Sequence, residues 1–155
     1  MTLTPATTAD TEFLFEVYAA SRDAEMTLLP WTDVQKRAFL RMQFEAQDRH
    51  YRAHYPNAQF QVIHHEGRAI GRLYVHETAD EIRIMDIAIL PDWRGIGIGS
   101  GLLRDILARA ASSTRAVTLH VEHNNAARRL YDRLGFRPAG EEGVYLRMQW
   151  NPGST

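Results

Sequence analysis

Apolar and polar positions change period several times along this chain, and each change marks a predicted element. Val117, Leu119 and Val121 alternate with Thr118, His120 and Glu122, the two-residue period of a strand with one buried face. Phe60 to His65 and Arg68 to Glu77 read as a hairpin turned at Glu66-Gly67. Ile82, Ile84, Ile87, Ile89 and Leu90 form a nearly continuous apolar strand that Pro91 ends. Beyond three spaced glycines the period lengthens: Leu102, Leu103, Ile106, Leu107 and Ala110 recur at helical spacing.

The flanks follow the same rules. Met1 to Ala6 predicts a short first strand, and Thr7 to Asp10 offers a capping box for a helix with Phe13, Leu14, Val17 and Tyr18 on one face. A loop unusually rich in apolar residues covers 21–31. A second helix is predicted from Asp33 to Ala53, carrying Phe39, Met42, Phe44 and Tyr51, with Tyr55 near its end and Pro56-Asn57 closing it. The third helix is the one after the glycines; a fourth runs from Asn125 to Leu134 and stops at Gly135. Gly143 to Trp150 makes the last strand, and 151–155 is expected to fray. The order β-α-α-β-β-β-α-β-α-β predicts an α/β layer fold on a mixed sheet.

Composition narrows the class. With 155 residues, 45% apolar and 24% charged, the chain fits a single domain over 1–155. A net charge of −1 gives no global field toward nucleic acid or membrane, so neither is expected as a partner. There is no cysteine, which excludes disulfides and thiolate metal sites and fits a cytoplasmic protein. The first residues show no signal peptide pattern, and no apolar run approaches the roughly 18 residues of a membrane span. His64-His65 and His120-x-x-His123 lack acidic or cysteine companions at ligand spacing, so no metal is expected.

The chemistry concentrates where the apolar strand meets the glycines, in Arg94-Gly95-Ile96-Gly97-Ile98-Gly99-Ser100. Such a loop lets the backbone turn sharply and aim several N–H groups at one anion at the start of a helix. The dinucleotide fingerprint fails, because Ser100 or Leu102 stands where its last glycine belongs. A P-loop fails too, since Lys36 is the only lysine. The spacing that fits is Arg94-x-x-Gly97-x-Gly99. Downstream, Asn124 to Phe136 fits Asn-x-x-Ala-x-x-Leu-Tyr-x-x-x-Gly-Phe without a gap. With both motifs in order, the segment from Glu81 to Phe136 resembles the GCN5-related N-acetyltransferase (GNAT) family.

That resemblance implies a GNAT fold, a mixed sheet of about six to seven strands flanked by about four helices. It implies acetyl-CoA as co-substrate, with its pyrophosphate on residues 94–100. The pantetheine arm would lie along Ile87, Ala88 and Ile89, between parallel strands that splay apart. Asn124 would reach the pantetheine amides, Ala127 would leave room for the arm, and Tyr131 would donate a proton to the leaving sulfur. Asn124 also suits a helix cap, and Tyr131 also suits a core position beside Leu130 and Leu134. An amine with a pKa near ~10 must lose a proton before attack, and the family often supplies an acid or histidine on the central strand. Here those positions hold Met85 and Arg83, which leaves Glu81, His120 and Glu122 as candidate bases; Asp86 has the opposite parity. The acceptor, a primary amine of a small molecule or peptide, would meet the 21–55 region, where Trp31, Tyr51, Glu25, Glu45 or Arg49 could line a pocket. Trp31 alone reads better as a staple between helices. The expected activity is direct acetyl transfer in a ternary complex; the alternative is a catalytically silent coenzyme A-binding module. A homodimer is left open.

Overall fold

The computed structural model describes residues 1–123 and 125–153. Its strands are β1 (Thr2–Pro5), β2 (Gln59–His65), β3 (Arg68–Glu77), β4 (Glu81–Ile89), β5 (Ala116–Glu122), β6 (Arg137–Glu142) and β7 (Tyr145–Trp150). The helices are α1 (Thr11–Ser21), α2 (Asp23–Met26), α3 (Asp33–His54), α4 (Ile98–Ser113) and α5 (Arg128–Arg133). One seven-stranded sheet has the order β1-β2-β3-β4-β5-β7-β6. It is mixed, since β4 and β5 are parallel while β1–β2, β5–β7 and β6–β7 are antiparallel. The α/β fold class expected from the sequence is the one observed, with a fifth helix.

Two compact units divide the chain: Met1–Tyr74 with Asp86–Ile96, and Val75–Met85 with Gly97–Thr155. In the first, the capping box forms as expected, with Thr7 and Asp10 capping a 3-10 turn ahead of α1. Leu14, Phe15 and Tyr18 of α1 pack with Met26, Leu40, Phe44 and Val62. Phe15, not Phe13, is the fully buried phenylalanine. The reason lies on α3, where the Arg41 and Arg37 guanidinium carbons sit 3.8 and 4.9 Å from its ring centroid. Leu40 and Phe44 are the buried residues of α3, while Met42 remains 62% exposed.

In the second unit α4 buries Leu102, Leu103, Ile106, Leu107 and Ala110, as its periodicity predicts. Three departures from the sequence reading occur here. β6 was not expected: Pro138 and Gly140 disguise it, and the register shifts between Pro138 and Glu141, as suits an irregular edge strand. β7 begins at Tyr145, because Gly143 (φ +61°) belongs to the turn between β6 and β7. The helix expected from Asn125 starts at Arg128; the Asn125 side chain instead accepts from the Ala127 N–H at 2.8 Å and holds a turn.

Candidate active site

β4 changes character along its length. At its start Ile82 and Ile84 are buried, and Glu81 to Ile84 pair in parallel with Ala116 to Leu119. That register ends at Ile84, while β4 runs on to Ile89. Ile87, Ala88, Ile89 and Leu90 are only half-buried, although they are apolar. The Leu90 N–H donates to the Ile70 carbonyl of β3 at 2.8 Å. Because backbone groups alternate edges along a strand, those of Ile89 turn away from β3. The Ile89 carbonyl is taken by Arg94 Nε, 2.7 Å away. Arg94 therefore fastens the loop to the end of β4, with its terminal nitrogens still available as donors.

The loop itself needs glycine at two points. Gly95 and Gly97 have φ of +77° and +90°, a backbone region costly for other residues, and a Cβ on either would project into open space. Gly97 caps α4 without any side chain, and the Gly101 N–H reaches the Gly97 carbonyl at 3.0 Å. The N–H groups of Ile98, Gly99 and Ser100 fall within the first turn, where a helix has no internal partner for them. Ile96 stands 60% exposed at the loop tip. This geometry fits an anion cradle.

A glycine that the sequence reading passed over supports β4. A Cβ on Gly71 of β3 would fall well inside contact with the Ala88 carbonyl. The available signal was a glycine in the interior of an apolar strand. Next to it Arg72, 3% exposed, forms an ion pair with Asp86 and donates to Gln47 of α3 at 2.9 Å. Its guanidinium lies over the rings of Tyr74 and Tyr18, at 4.7 and 5.6 Å. Burial by itself would lower the Arg72 pKa, but the Asp86 carboxylate more than reverses this and the pKa is raised. Burial also raises the Tyr74 phenol, which keeps it neutral. Asp86 is thus tied into this network.

In the second unit, Tyr131 of α5 is 8% exposed, its ring meeting Phe136 edge-on at 5.7 Å. Ala127 is half-buried just before α5. Asn124 lies outside the described residues. The strand registers place Glu81 and Arg83 on one face with Thr118, His120, Glu122, Arg147 and Glu142. Thr118 donates to Glu81 at 3.4 Å. Arg83 Nη2 lies 3.2 Å from His120 Nδ1. A guanidinium can only donate, so Nδ1 accepts and the imidazole proton sits on Nε2, 3.4 Å from a Glu142 oxygen. The lone pair that a base would need is therefore occupied on His120, while one Glu81 oxygen accepts from Thr118.

On the acceptor side, Trp31 meets Phe39 edge-on at 5.2 Å and remains 41% exposed, so it is a partial staple onto α3. Tyr51 packs edge-on against Tyr74 at 6.1 Å, and Glu25 pairs with Arg22. No group of three or more His, Cys, Asp or Glu suited to a metal occurs among the described residues, and no helix among them is long and apolar enough to cross a membrane.

Residues 56–138 match the model of a family described as an acetyltransferase (GNAT) domain. A 5-NmdU N-acetyltransferase of Pseudomonas phage PaMx11 is 35% identical over 105 residues, 63% of this chain and 74% of that protein. A putative [ribosomal protein bS18]-alanine N-acetyltransferase of Bacillus subtilis is 31% identical over 87 residues, 55% of this chain and 58% of that one. Among solved structures, PaiA N-acetyltransferase from Thermoplasma acidophilum in complex with coenzyme A superposes with a TM-score of 0.73, at 16% identity, over 97% of this chain and 98% of that one. At that identity the likeness concerns the fold.

Proposed function

Because this chain belongs to the GNAT family of acetyltransferases, we propose that it transfers the acetyl group of acetyl-CoA directly to a primary amine of a small molecule or peptide. The observation that carries this reading is the loop after β4, with left-handed Gly95 and Gly97 running into the first turn of α4. Backbone N–H groups from Arg94 to Ser100 would hold the pyrophosphate, with the free nitrogens of Arg94 in support. The half-buried stretch Ile87, Ala88 and Ile89 would take the pantetheine arm, and Asn124 and Ala127 would border it. Acetyl-CoA supplies an activated thioester; the chain must orient it and manage two protons.

Tyr131 is the residue for the first proton. Tyr131 is largely buried, and a phenol O–H can donate a hydrogen bond to a sulfur as negative charge develops there. The second proton leaves the ammonium of the acceptor. Glu81, His120 and Glu122 are the candidates to receive it through water, and His120 could do so only by giving up the hydrogen bond it accepts from Arg83.

The test is release of free thiol from acetyl-CoA against a panel of amines, for the wild type and Tyr131→Phe. Removing only the hydroxyl retains the packing on Phe136, so thermal stability should barely change. kcat should fall on the order of 10²-fold, with cofactor affinity nearly constant because the hydroxyl acts mainly as charge builds. Wild-type turnover by Tyr131→Phe, with chemistry shown to be rate-limiting, would make Tyr131 a packing residue. Coenzyme A binding with no turnover on any amine would point to the silent module.

A further inference from the structure

The seven histidines of the chain are placed unequally. His64 and His65 are consecutive on β2, so their side chains leave opposite faces of the sheet. His64 Nε2 lies 2.9 Å from the Thr4 hydroxyl, and the His65 ring meets Trp93 edge-on at 5.5 Å. His120 accepts from Arg83. His50 and His54 are placed differently. They stand four residues apart on α3, the spacing that brings two side chains to one face of a helix. Both are exposed, so the packing of α3 does not call for either ring. Their ring centroids are 4.2 Å apart, with the planes inclined by 32°.

One of the two rings is already oriented. His54 Nδ1 lies 3.0 Å from the His50 carbonyl oxygen. A carbonyl only accepts, so Nδ1 carries the proton, and Nε2 of the neutral ring keeps its lone pair. Metal-ligating histidines are held in the same way, with one ring nitrogen donating to a backbone carbonyl and the other facing the ion. The His50 ring contacts His54 and, at 6.2 Å, Tyr51, and as an exposed side chain it can turn toward the same point. Imidazoles this close can occupy neighbouring positions around one ion, at metal–nitrogen bonds of roughly 2 Å. Neighbouring nitrogens suit the tetragonal geometry of Ni²⁺ and Cu²⁺. The last turn of a helix, with its unpaired carbonyls, also favours a cation.

We infer that His50 and His54 chelate one divalent late transition-metal ion on the exposed face of α3, and that the ion ties the last turns of that helix together. With two protein ligands, and water at the remaining positions, this is an open surface site and not a closed structural centre. It lies within the first unit and does not rest on the acetyl-CoA reading. Nitrogen ligands bind Cu²⁺ more tightly than Ni²⁺ or Zn²⁺, so the affinities should follow that order. Only the folded helix holds the two imidazoles together, so the ion binds the folded chain better than the unfolded one and stabilises it.

Calorimetric titration of Ni²⁺ into protein without a histidine tag tests it, on the wild type, His50→Gln, His54→Gln and His123→Gln at one pH. The wild type should take up one ion at the site. Each α3 variant should bind it on the order of 10-fold more weakly or worse, because losing even an outer partner of a ligand costs about 10- to 100-fold. His123→Gln should bind as the wild type does. Without metal all four should melt within a few degrees of each other, since the substituted side chains of α3 and His123 are exposed. Saturating Ni²⁺ should then raise the melting temperature of the wild type and of His123→Gln above that of either α3 variant. No saturable binding by the wild type, or an unchanged affinity in His50→Gln or His54→Gln, would overturn the site. A metal-bound wild type that melts no higher than the metal-free protein would overturn the clamp on α3.

Discussion

In the first unit Arg22, Arg37, Arg41, Arg52 and Arg72 each hold a carboxylate, from Glu25, Glu16, Glu12, Asp48 and Asp86 in turn. On α5 of the second unit, Arg128, Arg129 and Arg133 hold none among the described residues. The first group also covers aromatic rings: Arg41 lies over Phe15 and Arg52 over Phe60, at 3.8 and 4.0 Å. One residue type thus serves two purposes. Where the guanidinium is paired and stacked, it belongs to the packing of the helices. Where it is bare, it adds charge to α5 without pairing. Composition alone, with all but one of the 18 cations arginine, cannot separate the two uses.

The contrast should be widest at Arg72. Arg72→Met leaves the Asp86 carboxylate in a mostly buried site without its cation, and should cost on the order of 3 kcal/mol in urea unfolding. The double variant Arg72→Met/Asp86→Leu should recover most of that, because a well-packed apolar pair often replaces a buried ion pair at little cost. Arg129→Ala, by comparison, should lie within about 0.5 kcal/mol of the wild type. If Arg72→Met and Arg129→Ala cost the same, the distinction between paired and bare arginines fails.

Arg41 falls between these extremes. Its hydrogen bond holds the Glu12 carboxyl below the ordinary glutamate value of 4.5. A folded pKa lower than the unfolded one adds stability above the unfolded value, and that stability is lost as pH falls through the folded value. Glu12→Gln should therefore flatten the acid limb of the stability–pH curve slightly and leave neutral stability almost unchanged, since the carboxylate is exposed. Arg41→Ala should cost more than Glu12→Gln, because it also uncovers Phe15. Equal effects would reduce the contact with Phe15 to a bystander.

What could be read in the sequence follows from range along the chain. β3 is where the hairpin reading places it, α3 runs within a residue of its expected end, and Gly95 and Gly97 of the loop adopt the positive φ that glycine allows. These are local properties. The Arg72–Asp86–Gln47 network joins residues far apart in sequence, and no period announces it. Gly71 against Ala88 is likewise visible only when two strands are brought together. β6 was hidden because Pro138 and Gly140 imitate a loop, and the helix expected from Asn125 gave way at its start to a turn held by the Asn125 side chain.

The most direct test of the central claim, that the loop after β4 cradles the cofactor pyrophosphate, is a titration of acetyl-CoA into Gly97→Val beside the wild type. Valine at a φ of +90° is strained by roughly 1–2 kcal/mol, yet a Cβ at Gly97 meets no neighbour, so the variant should fold. It should also push the backbone N–H groups away from an anion. The account predicts saturable binding by the wild type and none, or binding weakened at least about 100-fold, by a Gly97→Val protein whose circular dichroism is unchanged. Wild-type affinity in that folded variant would contradict it.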